Sequence, residues 1–432
     1  MIRILRYNEV SNEEIFSRKQ PAVDVASIVS DIISNVRANG DKALFEYTEK
    51  FDKVTLSSLL VSEDEMNEAL EEIDPYFLDV LNKAADNIKQ YHLMQRRKGF
   101  EINKDNGIVL GQRIIPVDRA GLYVPGGTAA YPSTVLMDSI PAKIAGVPDV
   151  IMVTPPSKDG KIAPAILAAA HVAGIDRIYK VGGAQAIAAL AYGTETIPPV
   201  DKIVGPGNAF VAEAKRQVFG KVSIDMIAGP SEILIVSDSK SDPRYLAADL
   251  LSQAEHDKMA SAVLVTDSIV LAEQVAEELE KQIPLLERAE IAKASIENNG
   301  KIIVAKDISA SIDIANEIAP EHLELCVDDP FSYLEKIRHA GSVFLGRMCP
   351  EPVGDYFAGP NHTLPTSGSA KFSNPLSVDD FIKKTQYIYY DKEALRDAAN
   401  DIAFFASKEG LGAHARSVLI RFEDDQKNTE NI

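Results

Sequence analysis

Asp149-Val150-Ile151-Met152-Val153-Thr154, a helical run over 164–173, Ile178-Tyr179-Lys180-Val181, and a helical run over 184–192 form the stretch that decides the fold. Its two apolar segments are short, unbroken and rich in β-branched residues, which reads as strands buried on both faces. The runs between them have helical length and composition. Working outward, the same rhythm returns at Ile233-Leu234-Ile235-Val236. It continues through a helix over 245–256, strand Ala262-Val263-Leu264-Val265, a helix over 270–282 and strand Lys301-Ile302-Ile303-Val304, and it ends with strand Ser342-Val343-Phe344-Leu345. Strands of this kind alternating with helices imply parallel sheets covered on both faces, so the expected class is α/β with two doubly wound domains. No exact sequence repeat relates the two series. The segment 20–98 is charged and helix-patterned, 8–18 resembles a separate polar arm, and 378–405 reads as a closing helical region. The tail 423–432, polar and acidic, has too little to bury and is expected to be disordered.

A chain of 432 residues with 46% hydrophobic content can bury two or more substantial cores. Its formal charge of −19 argues against nucleic acid or an anionic membrane as partner, because the long-range field repels phosphate. The start Met1-Ile2-Arg3-Ile4-Leu5-Arg6 carries no signal-peptide core, and the longest uncharged stretch is broken by Pro125, Gly126, Gly127 and Pro132. The reading is therefore a cytoplasmic protein without a spanning helix. Cys326 and Cys349 form no CxxC pair, so both are expected as reduced thiols, with Cys349 as a buried structural one.

The chemistry gathers around the histidines. Of only 7, four lie in short segments beside Gly, Pro or acidic residues: Gln253-Ala254-Glu255-His256, Ala319-Pro320-Glu321-His322, Gly359-Pro360-Asn361-His362, and Glu409 with His414. His92, His171 and His339 fall in helix-like runs, where a solvated or core imidazole is the plainer reading. Gln253 and His256, three apart on a helix, share a face with Asp249 one turn earlier. Imidazole, carboxylate and amide oxygen suit Zn²⁺ or a neighbouring first-row ion, and Asp355 and His414 could complete such a site; a polar surface pair is the bland alternative. Glu321 and His322 can enter one site only if the chain turns there, because neighbours in a strand face opposite ways. If it does turn, the imidazole suits proton abstraction and the carboxylate can activate water. Three glycine turns each follow an apolar run: Val124-Pro125-Gly126-Gly127, Val181-Gly182-Gly183-Ala184-Gln185 and Val204-Gly205-Pro206-Gly207-Asn208. None matches GxGxxG, so spacing leaves phosphate cradle and simple βα connection both open. Ser231, in Ala228-Gly229-Pro230-Ser231-Glu232, has no adjacent His to make it a nucleophile.

In order along 119–416, these segments together with Gly121-Leu122-Tyr123-Val124-Pro125-Gly126-Gly127 and Gly354-Asp355-Tyr356 resemble the histidinol dehydrogenase family. The ordered set is specific where no single piece is. The resemblance implies zinc held by Gln253, His256, Asp355 and His414, and a catalytic pair in Glu321 and His322. It implies substrate contacts at Ser231, His322, His362 and Glu409 besides the metal ligands, and NAD contacts at Tyr123, Gln185 and Asn208. The implied architecture is two incomplete Rossmann-like domains with an N-terminal arm over 1–19 and a small C-terminal helical region. One domain is discontinuous, over 20–121 and 233–375; the second spans 122–232, and 376–432 serves dimerisation. An intertwined homodimer with shared active sites is implied too. The expected reaction oxidises L-histidinol through an aldehyde to L-histidine, reducing two NAD⁺ in sequence. The chain departs from the family at Cys349, where a hydroxyl residue is usual, and at Pro375, where Gly is common. Two other classes stay open: a paralogous zinc- and NAD-dependent dehydrogenase of another small polar alcohol, and a zinc hydrolase or nonenzymatic metal-binding protein.

Overall fold

Both expected sheets form, and both are wholly parallel. The computed structural model describes residues 2–18, 24–126 and 130–423. The chain divides into one unit of Met1–Arg96 and Val117–Phe381 and a second of Arg97–Pro116 and Ile382–Ile432.

In the first unit, a five-stranded sheet runs in the order Arg177–Lys180, Asp149–Thr154, Arg119–Tyr123, Lys202–Val204, Ser223–Ile224. Its residues alternate between two helical layers. Ile151 and Val153 face Val29, Leu44, Ile187 and Leu190, whereas Val150 and Met152 face Val135, Leu136 and Leu167. Each such side chain, fully buried, stabilises the fold by roughly 1.5–3 kcal/mol, so burial on both faces explains why these strands read as unbroken apolar runs. The chain builds outward on one side of Arg119–Tyr123 and then returns to the other. This places a topological switch between the turns that follow Tyr123 and Val204.

The other sheet of this unit has six strands: Arg3–Arg6, Lys301–Val304, Ser261–Thr266, Glu232–Ser237, His322–Cys326 and Ser342–Leu345. Its switch lies between Glu232–Ser237 and His322–Cys326. The N-terminal segment begins with an edge strand of this sheet, Arg3–Arg6 alongside Lys301–Val304, followed by the short helix Asn12–Phe16. The helix Ala26–Asp52 folds back on itself at Gly40, whose φ of 52° is outside the helical region. A hydrogen bond from Asn35 Nδ2 to Tyr47 Oη at 3.0 Å joins its two halves, twelve residues apart in sequence.

The second unit corrects the helical reading of 378–405. Ile382–Tyr390 is a strand in an antiparallel sheet with Ile108–Pro116 and Phe100–Lys104, and helices Lys392–Lys408 and Gly412–Leu419 follow. The Lys-Lys-Thr-Gln-Tyr-Ile-Tyr-Tyr composition of 383–390 favours a strand through its β-branched and aromatic residues. Two histidine assignments also change or sharpen. His339 lies beyond its helix, which ends at Leu334, while His92 is a core imidazole bonded to Gln95 at 2.8 Å. Cys349 is half-buried, and the buried thiol is Cys326. Gly127 and the tail beyond residue 423 lie outside the described residues. Among the described residues, no helix is long and apolar enough to cross a membrane.

The helix Pro132–Ala145 is buried along most of its length and includes Asp138, which is fully buried. Asp138 Oδ1 accepts a hydrogen bond from Thr363 Oγ1 at 2.8 Å, while Oδ2 has no partner. Burial pushes this carboxyl up to about 8, with the Thr363 bond opposing. The folded state therefore holds a proton through a pH window in which the unfolded chain has lost it, and stability falls as pH rises from about 4 to about 8. Asp138→Asn cannot titrate, so its melting temperature relative to wild type is expected to climb steadily between pH 5 and 8. A gap that stays constant across that range would show an ionised Asp138.

Candidate active site

The chain does turn at Glu321. Helix Ile308–Ile318 ends on Ala319, which takes a left-handed φ of 51°, and Pro320 then leads into strand His322–Cys326. Both side chains of the pair are fixed by one neighbouring peptide. The Glu232 N–H donates to Glu321 Oε2 at 2.8 Å, and His322 Nδ1 lies 3.0 Å from the Glu232 carbonyl oxygen. Because a carbonyl only accepts, Nδ1 carries hydrogen and Nε2 is the nitrogen left to exchange a proton. Glu232 is itself anchored by Arg18, with Nε to Oε1 at 2.7 Å and Nη2 to Oε2 at 3.1 Å. This bidentate pair connects the N-terminal arm to the reacting region.

His322 Nε2 has no hydrogen-bond partner, but it faces Asp355 Oδ1 at 3.4 Å and Glu351 Oε1 at 3.9 Å. Burial alone would lower this imidazole, yet Glu321, Asp355 and Glu351 outweigh it and push His322 up to about 10. Burial pushes Glu321 up to about 8 and Glu351 likewise to about 8, the second also through repulsion from Asp355. Asp355 moves the other way: burial raises it, but the His322 contact holds it well below the usual carboxylate range. His256 and His362 are both lowered, chiefly by burial, with Asp355 opposing.

Gln253 ends the helix Pro243–Ala254, almost wholly buried, with neither amide atom partnered. Leaving such an amide unsatisfied costs on the order of 1–3 kcal/mol per group, which a ligand to its oxygen would relieve. His256 lies just past that helix, in a turn where its N–H donates to the Gln253 carbonyl at 3.1 Å. Among the described residues, His322, Glu351 and Asp355 each present a ligating atom within 4.8 Å of the others. Three carboxyl groups around a buried imidazole, with an unpaired amide and a second imidazole nearby, form a donor set suited to a divalent cation. Glu409 and His414 belong to the second unit, where both are exposed, at the end of helix Lys392–Lys408 and within Gly412–Leu419.

Other groups escaped sequence reasoning. Glu351 follows a Pro and carries no periodic signal, yet it is buried, with its N–H donating to Glu324 Oε1 at 2.8 Å and its Oε2 accepting from Ser252 at 3.0 Å. Asp249 pairs with Glu324, both raised first by burial, so it turns toward that carboxyl group. Helix Pro132–Ala145 holds the His362 segment. Thr134 Oγ1 lies 3.3 Å from His362 Nε2, Asn361 Nδ2 donates to the Met137 carbonyl, and His362 Nδ1 is 3.1 Å from the Asp355 carbonyl oxygen. Ser231, half-buried, immediately precedes Glu232, and its carbonyl accepts from Ser261 at 2.9 Å.

Tyr123, Gln185 and Asn208 line a separate cavity of about 860 Å³ at the carboxyl ends of the five-stranded sheet. Burial pushes the Tyr123 phenol up to about 12, so it stays neutral, and its oxygen accepts from Gly183 N–H at 3.1 Å. Asn208 Oδ1 caps helix Ala209–Val218 by accepting from Phe210 N–H and Val211 N–H. The turn at Gly205 is pinned at both ends of its peptide units. Its N–H donates to Asp225 Oδ2 at 2.8 Å, and its carbonyl accepts from Lys215 Nζ at 3.0 Å, while Lys215 and Asp225 form a buried ion pair.

Known proteins resemble this chain over nearly its whole length. The family model described as "Histidinol dehydrogenase" matches residues 16–422. The chain is 53% identical over 428 residues to a histidinol dehydrogenase of Clostridium acetobutylicum, covering 98% of this chain and 99% of that one. It is 56% identical over 395 residues to one from Geobacillus kaustophilus, covering 91% and 93%. The crystal structure of histidinol dehydrogenase from Elizabethkingia anophelis superposes with a TM-score of 0.93 at 38% identity, covering 98% of this chain and 99% of that one.

Gly205 adopts a φ of +117°, and a Cβ there would be driven into the Tyr123 carbonyl oxygen. Gly205→Ala is therefore expected to destabilise the fold by about 2–5 kcal/mol and to weaken dinucleotide binding, as measured by urea titration and calorimetry. Wild-type values for both would contradict the assigned geometry.

Proposed function

The chain belongs to the histidinol dehydrogenase family, and from that premise we propose that it oxidises L-histidinol through L-histidinal to L-histidine with two successive NAD⁺. The observation that carries the reading is the free Nε2 of His322, beside Asp355, on an imidazole whose other nitrogen is committed to the Glu232 carbonyl. Gln253, His256 and Asp355 would hold a zinc ion, with His414 as fourth ligand. When bound, the ion would supply an electrophilic anchor for the ring and amino nitrogens of histidinol, and NAD⁺ a hydride acceptor.

His322 removes the hydroxyl proton as the carbinol carbon loses its hydride. A bound dication would oppose the carboxylates that raise this imidazole and would favour an ionised Glu321, leaving both groups able to accept a proton. Glu321, held by the Glu232 N–H, takes a proton from the water that adds to the aldehyde, and the hydrate then yields its hydride to the second NAD⁺. The overall balance consumes one alcohol, one water and two NAD⁺ and releases one carboxylate, two NADH and three protons. Ser231, His362 and Glu409 would orient the substrate, and Tyr123, Gln185 and Asn208 would contact the dinucleotide.

A homodimer is the proposed assembly. In the second unit, Ile388, Phe404 and Phe405 are 73%, 65% and 68% exposed, apolar surface that a second copy would cover. Under this reading 376–432 acts in dimerisation, and Glu409 and His414 would serve the partner's site. The wider division into an N-terminal arm over 1–19, a discontinuous domain over 20–121 and 233–375 and a second over 122–232 is proposed on the same basis.

Following NADH from L-histidinol tests the whole reading: two NADH per histidine are expected, with activity lost to a chelator and restored by zinc. One NADH per turnover, or indifference to metal removal after the protein is shown to be metal-free, would refute it. The pair also separates by step. Glu321→Gln is expected to slow aldehyde oxidation by on the order of 10²-fold or more while leaving alcohol oxidation nearer normal, whereas His322→Asn depresses both. Single-turnover kinetics on the alcohol and on the aldehyde distinguish the two, and equal damage to both steps by Glu321→Gln would remove its assigned role.

A further inference from the structure

The cavity that contains Tyr123, Gln185 and Asn208 has two charged side chains among its described lining residues, Asp52 and Lys158. Asp52 closes the hairpin helix Ala26–Asp52, and its Oδ2 is buried without any hydrogen-bond partner. Burial pushes the carboxyl up to about 6, which leaves it largely ionised at pH 7. It also stands at a helix C-terminus, where the backbone dipole adds negative potential. A phosphate is thus disfavoured beside it from two sources, while a neutral donor is favoured.

The apolar neighbours narrow the choice of donor. Phe51, adjacent in sequence, and Ile28 and Ile32 from the facing half of the hairpin line the same cavity. Such surfaces suit the flat face of a purine. His322 is not among the lining residues, so the reacting nicotinamide end belongs elsewhere and the adenosine end belongs here. The group bonded to the purine is a ribose whose hydroxyls donate hydrogen bonds.

We propose that Asp52 accepts a hydrogen bond from the adenosine ribose and excludes dinucleotides phosphorylated on that sugar, making it the determinant of NAD⁺ over NADP⁺. The inference rests on reading this cavity as the dinucleotide site. It needs no glycine fingerprint and no acidic residue at the end of a second strand. Here the acidic group comes from a helix preceding the sheet in sequence.

Calorimetric titration of the whole protein with NAD⁺ and NADP⁺ tests it, using Asp52→Asn, Asp52→Ala and the cavity-filling Ala163→Trp. Asp52→Asn keeps a neutral acceptor, so NAD⁺ affinity should stay within about 3-fold while NADP⁺ binding improves on the order of 10-fold. Asp52→Ala should lose on the order of 10-fold in NAD⁺ affinity. Ala163→Trp should abolish binding of both nucleotides. If Ala163→Trp blocks binding but neither Asp52 variant alters the NAD⁺ to NADP⁺ ratio, the Asp52 assignment falls and the cavity reading stands. If Ala163→Trp binds NAD⁺ normally, the cavity is not the dinucleotide site and the proposal falls with it.

Discussion

The constraint on which the site depends is the convergence of Glu321, Glu351 and Asp355 upon one buried imidazole. Like charges in a place shielded from water repel strongly, and the chain tolerates them only by retaining protons or by admitting a cation. Without an ion, His322 takes the positive charge and two of the carboxyls retain protons, as their raised values describe. Gln253, buried with both amide atoms idle, belongs to the same imbalance. The proposed dication would answer this imbalance with a charge larger than that of a single protonated imidazole.

The two parallel sheets use opposite ends. The five-stranded sheet follows the general rule for open α/β folds, with its cavity outside the carboxyl ends of the strands and beside the switch after Tyr123. In the six-stranded sheet, Ser231, Glu232, Glu321 and His322 lie at the amino ends of two neighbouring strands. Helix Pro243–Ala254 follows the strand Glu232–Ser237 and runs back past it, so Gln253 and His256 return to the same edge. This reversal explains why a helix-terminal Gln-x-x-His and a pre-strand Glu-His meet despite about 65 residues between them.

Much of this was legible because burial on both faces imposes a pattern. Strand 149–154 and helix 164–173 occupy the positions that periodicity assigns, since each depends on the same two helical layers. The antiparallel strand 382–390 was misread because its exposed Lys and Tyr residues show no apolar run. The site was less legible for a different reason. Histidines flanked by carboxylates are visible in sequence, whereas the role of Glu351 depends on a tertiary reversal that brings it under Ser252 and against Glu324. Asp52 was invisible for a similar reason, because only the fold at Gly40 gives its helix two sides on one cavity.

Helix Pro132–Ala145 meets both regions. Thr134 and Met137 hold the segment bearing His362, and Asp138 grips Thr363 while facing the turn at Gly205. One buried helix therefore shares its footing between the segment bearing His362 and the turn at Gly205. Under the proposed function, the spacing between hydride donor and acceptor would then be kept by one beam rather than by two independently wandering hands.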